Sequence, residues 1–423
     1  MASTLSTFDA FIKEYYTDQK VEDLTKSGKP LYGRIRKNED VSGDPWVVPI
    51  LWSNPQGVAA YSLANAQTAG AGVGGNVSGS KWAITMANYQ GTVSIGDKVL
   101  MASRNNVGSF LEDKTTEIDG LYETVANSHA TYLYRNGGGA VGQISVLEGA
   151  VGSNKFSLVN PSDAFNFEYG MYVRASATDG SDTSGTPRTG STYVTSVDAV
   201  NGIIGVNSVA GITAVAAGDY VFRLGDVVGD TGTLLMHGVQ AFITSSTSPG
   251  TLWGVTRTTQ VQRLSGCKVP TSAVTGKGIE ERLQLLGAYM AGRYRAMTAG
   301  GTYECYCHPE DWQTLEISLQ ARGQRSLTED ETQFGYEYIS ANLGGKKVKI
   351  FSDPYCPVGS AFLLRMDNWQ LGSYGQLIRN VAGDGLSMLR AASTNDYEYR
   401  LISYPEVACN APGFSGWVPM PTP

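Results

Sequence analysis

Charge, histidine and long apolar runs are all scarce in this sequence, and each scarcity removes a class of function. Charged residues make up 17% of the 423 positions, against roughly 25% in ordinary soluble domains. The surface is therefore poor in ions and is expected to be covered by something. The charges are also unbalanced: 32 Lys and Arg against 39 Asp and Glu leave a net −7. That balance argues against general nucleic-acid binding, which needs basic patches to displace counterions from phosphate, and no basic face is evident along the chain. No stretch of 18 or more apolar residues could span a bilayer. The opening MASTLSTFDAFIKEYY lacks the basic region and apolar run of a secretory signal, so a soluble, intracellular protein with no membrane partner is expected. Five cysteines, odd in number and widely scattered, make no disulfide framework and read as reduced thiols.

What is present is length, glycine and apolar residues. A chain of this size suggests two or three domains, and 42% apolar content suffices for real cores. With only three histidines in the chain, the segment GGTYECYCHPEDW is the first place to look for chemistry, because it holds Cys305, Cys307 and His308 within four positions. A strand over Tyr303 to Cys307 would put both thiols on one face and His308 on the other. Pro309 suits the first helical position, and Glu310 and Asp311 suit the positive end of the helix dipole. Zinc needs four ligands, or three and a water, and Cys267, Cys356 and Cys409 form no second ligand pair. The segment therefore reads as a strand-to-helix junction with small buried thiols, and a metal-dependent enzyme using Cys305, Cys307 and His308 is the rival reading. No G-x-S-x-G, Walker loop or H-E-x-x-H is present. GAGVGG, residues 70 to 75, lacks the strand and following helix of a phosphate-binding loop. No catalytic, cofactor-binding or metal residue is predicted, and no cofactor.

The order of elements is more informative. Leu5, Phe8, Phe11, Ile12, Tyr15 and Gln19 share a helical face, and the polar, Gly- and Pro-punctuated stretch after them reads as an extended arm that needs something to lie on. WVVPILW and KWAITMA predict a long hairpin from Trp46 with a flexible tip, Pro49 being confined to an edge. Such a hairpin is marginal alone and is expected to dock on a neighbouring subunit. Spacings of three, four and seven predict a long helix over 109 to 135 of roughly 40 Å, bent if Gly120 interrupts it, with His129 a packed neutral imidazole and RNGGG as its end. Residues 144 to 226 carry short strands between turns, with Asn201 and Gly202 at a tight hairpin, and predict a small antiparallel barrel or sandwich. From 278 on, helices with Ile279 to Met297 and Trp312 to Leu319 on their faces precede the strands KKVKIF, AFLLRM and EYRLISY, an α+β pattern.

This order resembles the major capsid proteins of tailed bacteriophages, which share the Hong Kong phage capsid fold with herpesvirus shells and encapsulins. The likeness of residues lies in HPEDWQTLEISL (His308 to Leu319), VKIFSDPYCP, AFLLRMDNWQL and VACNAPG. It implies an N-terminal arm (1–45), an extended-loop hairpin (46–90), a peripheral domain with a spine helix (91–143 and 227–275), an inserted all-β domain (144–226), an axial domain (276–400) and a C-terminal segment (401–423). The function implied is not enzymatic. Copies of the chain, as hexamers and pentamers, would form an icosahedral virion shell around double-stranded DNA without sequence-specific binding, assembled in the host bacterial cytoplasm. An encapsulin-like compartment is the alternative on the same fold. Only about 45 residues precede the hairpin, so scaffolding is expected from a separate protein; a portal and a decoration protein are further expected partners. Lys81 is the only lysine between Trp46 and Gly96, but no motif marks it as the cross-linking lysine of some relatives, and that activity is not carried over.

Overall fold

A computed structural model describes residues 2–3, 28–71, 76–102, 113–148, 154–181, 187–227, 235–244, 247, 249–297, 300–321, 338–381, 388–390 and 395–421. The helix expected between residues 4 and 20 lies outside these.

Two cores lie on the two faces of one six-stranded sheet. Its order is Cys267–Lys268, Gly416–Pro419, Ser360–Arg365, Tyr303–Cys307, Lys346–Ser352, Ile339–Leu343. Because side chains alternate along a strand, Tyr303, Cys305, Cys307, Val348, Ile350, Ala361 and Leu363 face one core, while Tyr306, Phe351, Phe362 and Leu364 face the other. Two helices close the first core: Ile279–Gly292 buries Ile279, Leu283, Leu286 and Met290, and Pro309–Ala321 adds Trp312 and Leu315. The first helix stops at Gly292, short of the Met297 expected from spacing, yet Met297 still packs into the core beyond its end.

The second core is shared with the long helix Asp113–Tyr134, which runs unbroken through Gly120. Its 22 residues span about 33 Å, and residues 109 to 112 of the expected helix lie outside the described residues. Its last turn meets the sheet where the Tyr134 and Phe362 rings lie 5.6 Å apart. Gly137 and Gly139 end it at φ of +88° and +91°, and Gly139 lies so close to Asp226 that a Cβ would fall 2.1 Å from its carbonyl oxygen. Only glycine can make this turn. Earlier along the helix, Leu121 and Val125 pack on Gly91 of strand Tyr89–Ile95, which pairs antiparallel with Tyr397–Ser403. EYRLISY therefore sits beside the spine helix and not in the six-stranded sheet with the other two strands of its run.

The predicted β insertion is a closed barrel of six strands, Ala140–Glu148, Lys155–Leu158, Tyr172–Ser176, Thr192–Asp198, Ile203–Val206 and Tyr220–Arg223. It begins at Ala140, four residues before the expected Ile144. Gly202, at φ +65°, makes the turn expected at Asn201 and Gly202. The first and last strands pair with each other, Val221 opposite Gly142, so the chain enters and leaves the barrel side by side.

Candidate functional site: an assembly surface

The junction at residues 303 to 312 is built as its sequence predicts. Cys305 and Cys307 face the first core, with burial pushing the Cys305 thiol up to about 12 and Cys307 upward as well. The Cys307 Sγ donates to the Phe351 carbonyl at 3.7 Å, and Cys356 donates to the Ser360 carbonyl at 3.5 Å. Thiols held protonated in this way are weak nucleophiles and weak ligands. His308 faces away from them and caps the helix, its Nδ1 accepting from the Glu310 N–H at 3.3 Å. Asp311 is buried and accepts from the Gly359 N–H at 2.9 Å. Among the described residues no three His, Cys, Asp or Glu side chains converge as metal ligands. Cys267 and Cys409 are buried elsewhere, and residues 72 to 75 of GAGVGG lie outside the described residues.

His129 is fully buried, with neither ring nitrogen hydrogen-bonded. It packs between Tyr89, at 5.2 Å, and Tyr32, at 6.2 Å between ring centroids. Burial lowers its pKa to about 3.

Tyr32 belongs to the arm, and here the structure corrects the expectation that the arm lacks partners within the chain. Pro30–Arg34 is a short helix that buries Leu31, and Ile35 is buried behind it. The Leu31 N–H donates to the buried Asp353 Oδ2 at 3.0 Å, the oxygen that also accepts from the Tyr134 hydroxyl at 2.8 Å. Lys29 pairs with Glu123 of the spine helix, and Arg36–Asn38 adds a parallel strand to Trp369–Ser373. One carboxylate thus ties arm, spine helix and sheet together. The buried arm residues sit within a charged segment, whose polarity hides them from a pattern reading.

The hairpin divides at Leu51. Trp46–Ser53 pairs with Ser78–Ile84 in the register Trp46 to Ile84 and Pro49 to Lys81. Trp46, Val48, Ile50, Trp82 and Ile84 are buried in the second core, and the Trp82 indole donates to the Cys409 carbonyl at 3.2 Å. The root therefore has its own partners, contrary to the expectation for the whole hairpin. The tip does not. It contains a helix, Leu63–Gly70, capped by Ser62 accepting from the Asn65 N–H; the Ala- and Gly-rich composition conceals this helix, which buries no residue. Leu51 is 68% exposed, Val58 85%, Leu63 75%, and Tyr61 fully exposed. Burying side chains of this size would contribute about 1.5–3 kcal/mol each, so this surface has the composition of a contact left open in one subunit.

No family model matches the chain, and no curated protein matches its sequence. Solved structures match over nearly the whole length. The capsid of a native GTA particle aligns with a TM-score of 0.52 at 10% identity, covering 96% of this chain and 95% of that one. The capsid of an empty GTA particle gives 0.50 at 10% identity, over 96% and 95%. The capsid asymmetric unit of cyanophage A-1(L) gives 0.49 at 12% identity, over 92% of each chain. The chain has the fold of these capsid proteins, the fold that its element order resembles, and it includes a closed β barrel.

Proposed function

We propose that the protein is a major capsid protein whose copies, as hexamers and pentamers, close an icosahedral shell around double-stranded phage DNA in the host cytoplasm. The observation that carries this reading is the hairpin: a root locked into the core and a tip whose large apolar side chains stay exposed among the described residues. A neighbouring copy supplies the missing surface, and the scarcity of charge suits a chain much of whose surface is covered by other copies. Cys305, Cys307 and His308 are structural in this reading, and the protein performs no catalysis. Scaffolding, portal and decoration proteins are its further partners. The barrel stands on the outer face, where its acidic loops are away from packaged DNA.

The test is to express the full chain with and without a scaffolding protein and image the product by negative stain. Closed shells of uniform diameter that protect duplex DNA from nuclease, when filled, support the reading. Closed shells that enclose a protein cargo instead point to an encapsulin-like compartment. A soluble monomer under every condition overturns both.

A further inference from the structure

The net charge of −7 hides a local exception that only the fold assembles. Arg34 in the arm lies with its guanidinium carbon 4.0 Å above the Phe351 ring. Phe351 lies 6.0 Å from the ring of Tyr338, and the Lys349 Nζ lies 4.5 Å above Tyr338. This is a continuous row of cation, ring, ring and cation. Lys347 is two residues from Lys349 on the same strand and so on the same face, the face opposite the helices Ile279–Gly292 and Pro309–Ala321. Arg34, Lys347 and Lys349 are all exposed. Among the described residues the one carboxylate bonded to the row is Glu304, which accepts from Arg34 at 3.4 Å and from the Tyr306 hydroxyl at 2.6 Å. It is largely buried, so the exposed side chains of the row itself are all cationic.

We infer that the exposed margin of this sheet face, at Arg34, Lys347 and Lys349 and outside the part covered by the second core, is where the shell holds its nucleic acid, through the phosphates of duplex DNA and without reading its sequence. This rests on the capsid reading and adds the surface and orientation which that reading leaves open. Three features favour a phosphate backbone as the occupant. The cations stand out against an acidic chain, so long-range attraction focuses on them. Lys347 and Lys349 are spaced about 6.6 Å apart along an extended strand, about twice the roughly 3.4 Å axial rise per phosphate of one DNA strand, so each can meet a different phosphate. The rings fix Arg34 and Lys349 in place by cation–π contact, which lowers the cost of ordering them on binding. The row contains no Asn or Gln and holds its only arginine against Glu304 and a ring, so it offers no bidentate base reader. The same assignment turns this sheet face toward the shell interior. Sequence alone could not show it, because its members lie at positions 34 and 347 to 349.

The experiment uses capsomers or shells of the full chain and a fluorescent 20-base-pair duplex, with anisotropy titrations between 50 and 200 mM salt. Each phosphate contact contributes a slope of about −0.9 in log K against log salt. Lys347→Gln with Lys349→Gln should therefore flatten the slope by about 1.8, Lys347→Gln alone by about 0.9, and Lys155→Gln, on the barrel, should change nothing. Thermal melting and particle yield should match the unsubstituted protein. Equal slopes for all four proteins, or no DNA binding by any, overturn the inference. If the double variant keeps the slope but fails to assemble, the face contacts an acidic surface of another subunit and the inference is also overturned. If the chain forms no shells yet shows the predicted slopes, the DNA surface stands and the capsid reading fails.

Discussion

His129 is the residue where environment most changes chemistry. The fold holds the ring neutral between two tyrosines, with its pKa lowered from 6.5 to about 3 by burial. Below about 6.5 the unfolded chain takes up a proton that the folded protein refuses until about 3. The stability due to the neutral ring is therefore complete above pH 6.5 and is lost progressively as pH falls toward 3. His129→Phe, which keeps an aromatic plug without a titratable nitrogen, should gain melting temperature relative to the parent as pH drops from 7 to 4. A difference that stays constant over that range would show that the ring does not titrate between the two states. Two helical glycines make an opposite pair. A Cβ at Gly120 meets nothing within 4 Å, whereas one at Gly287 falls 2.7 Å from the backbone nitrogen of Gly344. Gly120→Ala should stabilise by about 0.5–1 kcal/mol. Gly287→Ala, with the same gain in propensity, should destabilise by about 1–3 kcal/mol because the helix must move off the turn at Leu343 and Gly344. Urea melts of the two variants shifting in the same direction would contradict this packing.

Among the elements, the hairpin carries the assembly argument, and its two halves predict different phenotypes. Leu51→Asp with Tyr61→Ser alters the exposed tip and should leave stability within about 0.5 kcal/mol, while particle yield falls sharply. Trp82→Ala at the root removes a fully buried indole and should cost about 3–5 kcal/mol in folding itself. If tip and root variants lost solubility alike, the tip would belong to the subunit's own fold. The hairpin also shows what a sequence can and cannot disclose. Alternation in KWAITMA and WVVPILW announces the two strands, because a half-buried strand must repeat every two residues. Position after folding leaves no such trace: nothing in GKPLYGRIRK says that Leu31 will be buried against Asp353, 322 residues away. The tip helix is missed for a related reason, since it buries nothing and so has no apolar period to read. The strand-to-helix junction at Pro309 is legible because its signals are local, a proline at the first turn and acids behind it. The charged row of Arg34, Lys347 and Lys349 is not, because two distant segments make it.

At the scale of the whole molecule the barrel decides how modular the chain is. Its first and last strands are neighbours, the arrangement in which a domain can be inserted without disturbing its host. Ile144, Phe156, Ala175, Val206 and Val221 line a common apolar centre in it, which is continuous with the second core, since Ile144, Phe156, Val206 and Val221 belong to that cluster. One edge, however, is fastened to the host. Pro161–Asn166 leans on the end of the long helix, the helix Pro309–Ala321 and the loop after Lys346–Ser352, where Arg135 pairs with Asp163 at 3.0 Å, Ser162 bonds Glu310, and the Phe165 ring lies 5.2 Å from Tyr355. Replacing residues 144 to 220 by a short Gly/Ser linker should therefore give a soluble protein with a lower melting temperature, since the host loses a brace and the barrel's share of the second core but keeps the six-stranded sheet, the first core and the part of the second core that packs on the sheet. If the barrel contributes contacts between capsomers on the outer face, shells of this variant should also dissociate at lower denaturant than its loss of subunit stability explains. Shells as robust as those of the parent would reduce the barrel to an ornament. Wholesale misfolding would show that the fastened edge, and not the closed barrel, sets the boundary of the host core.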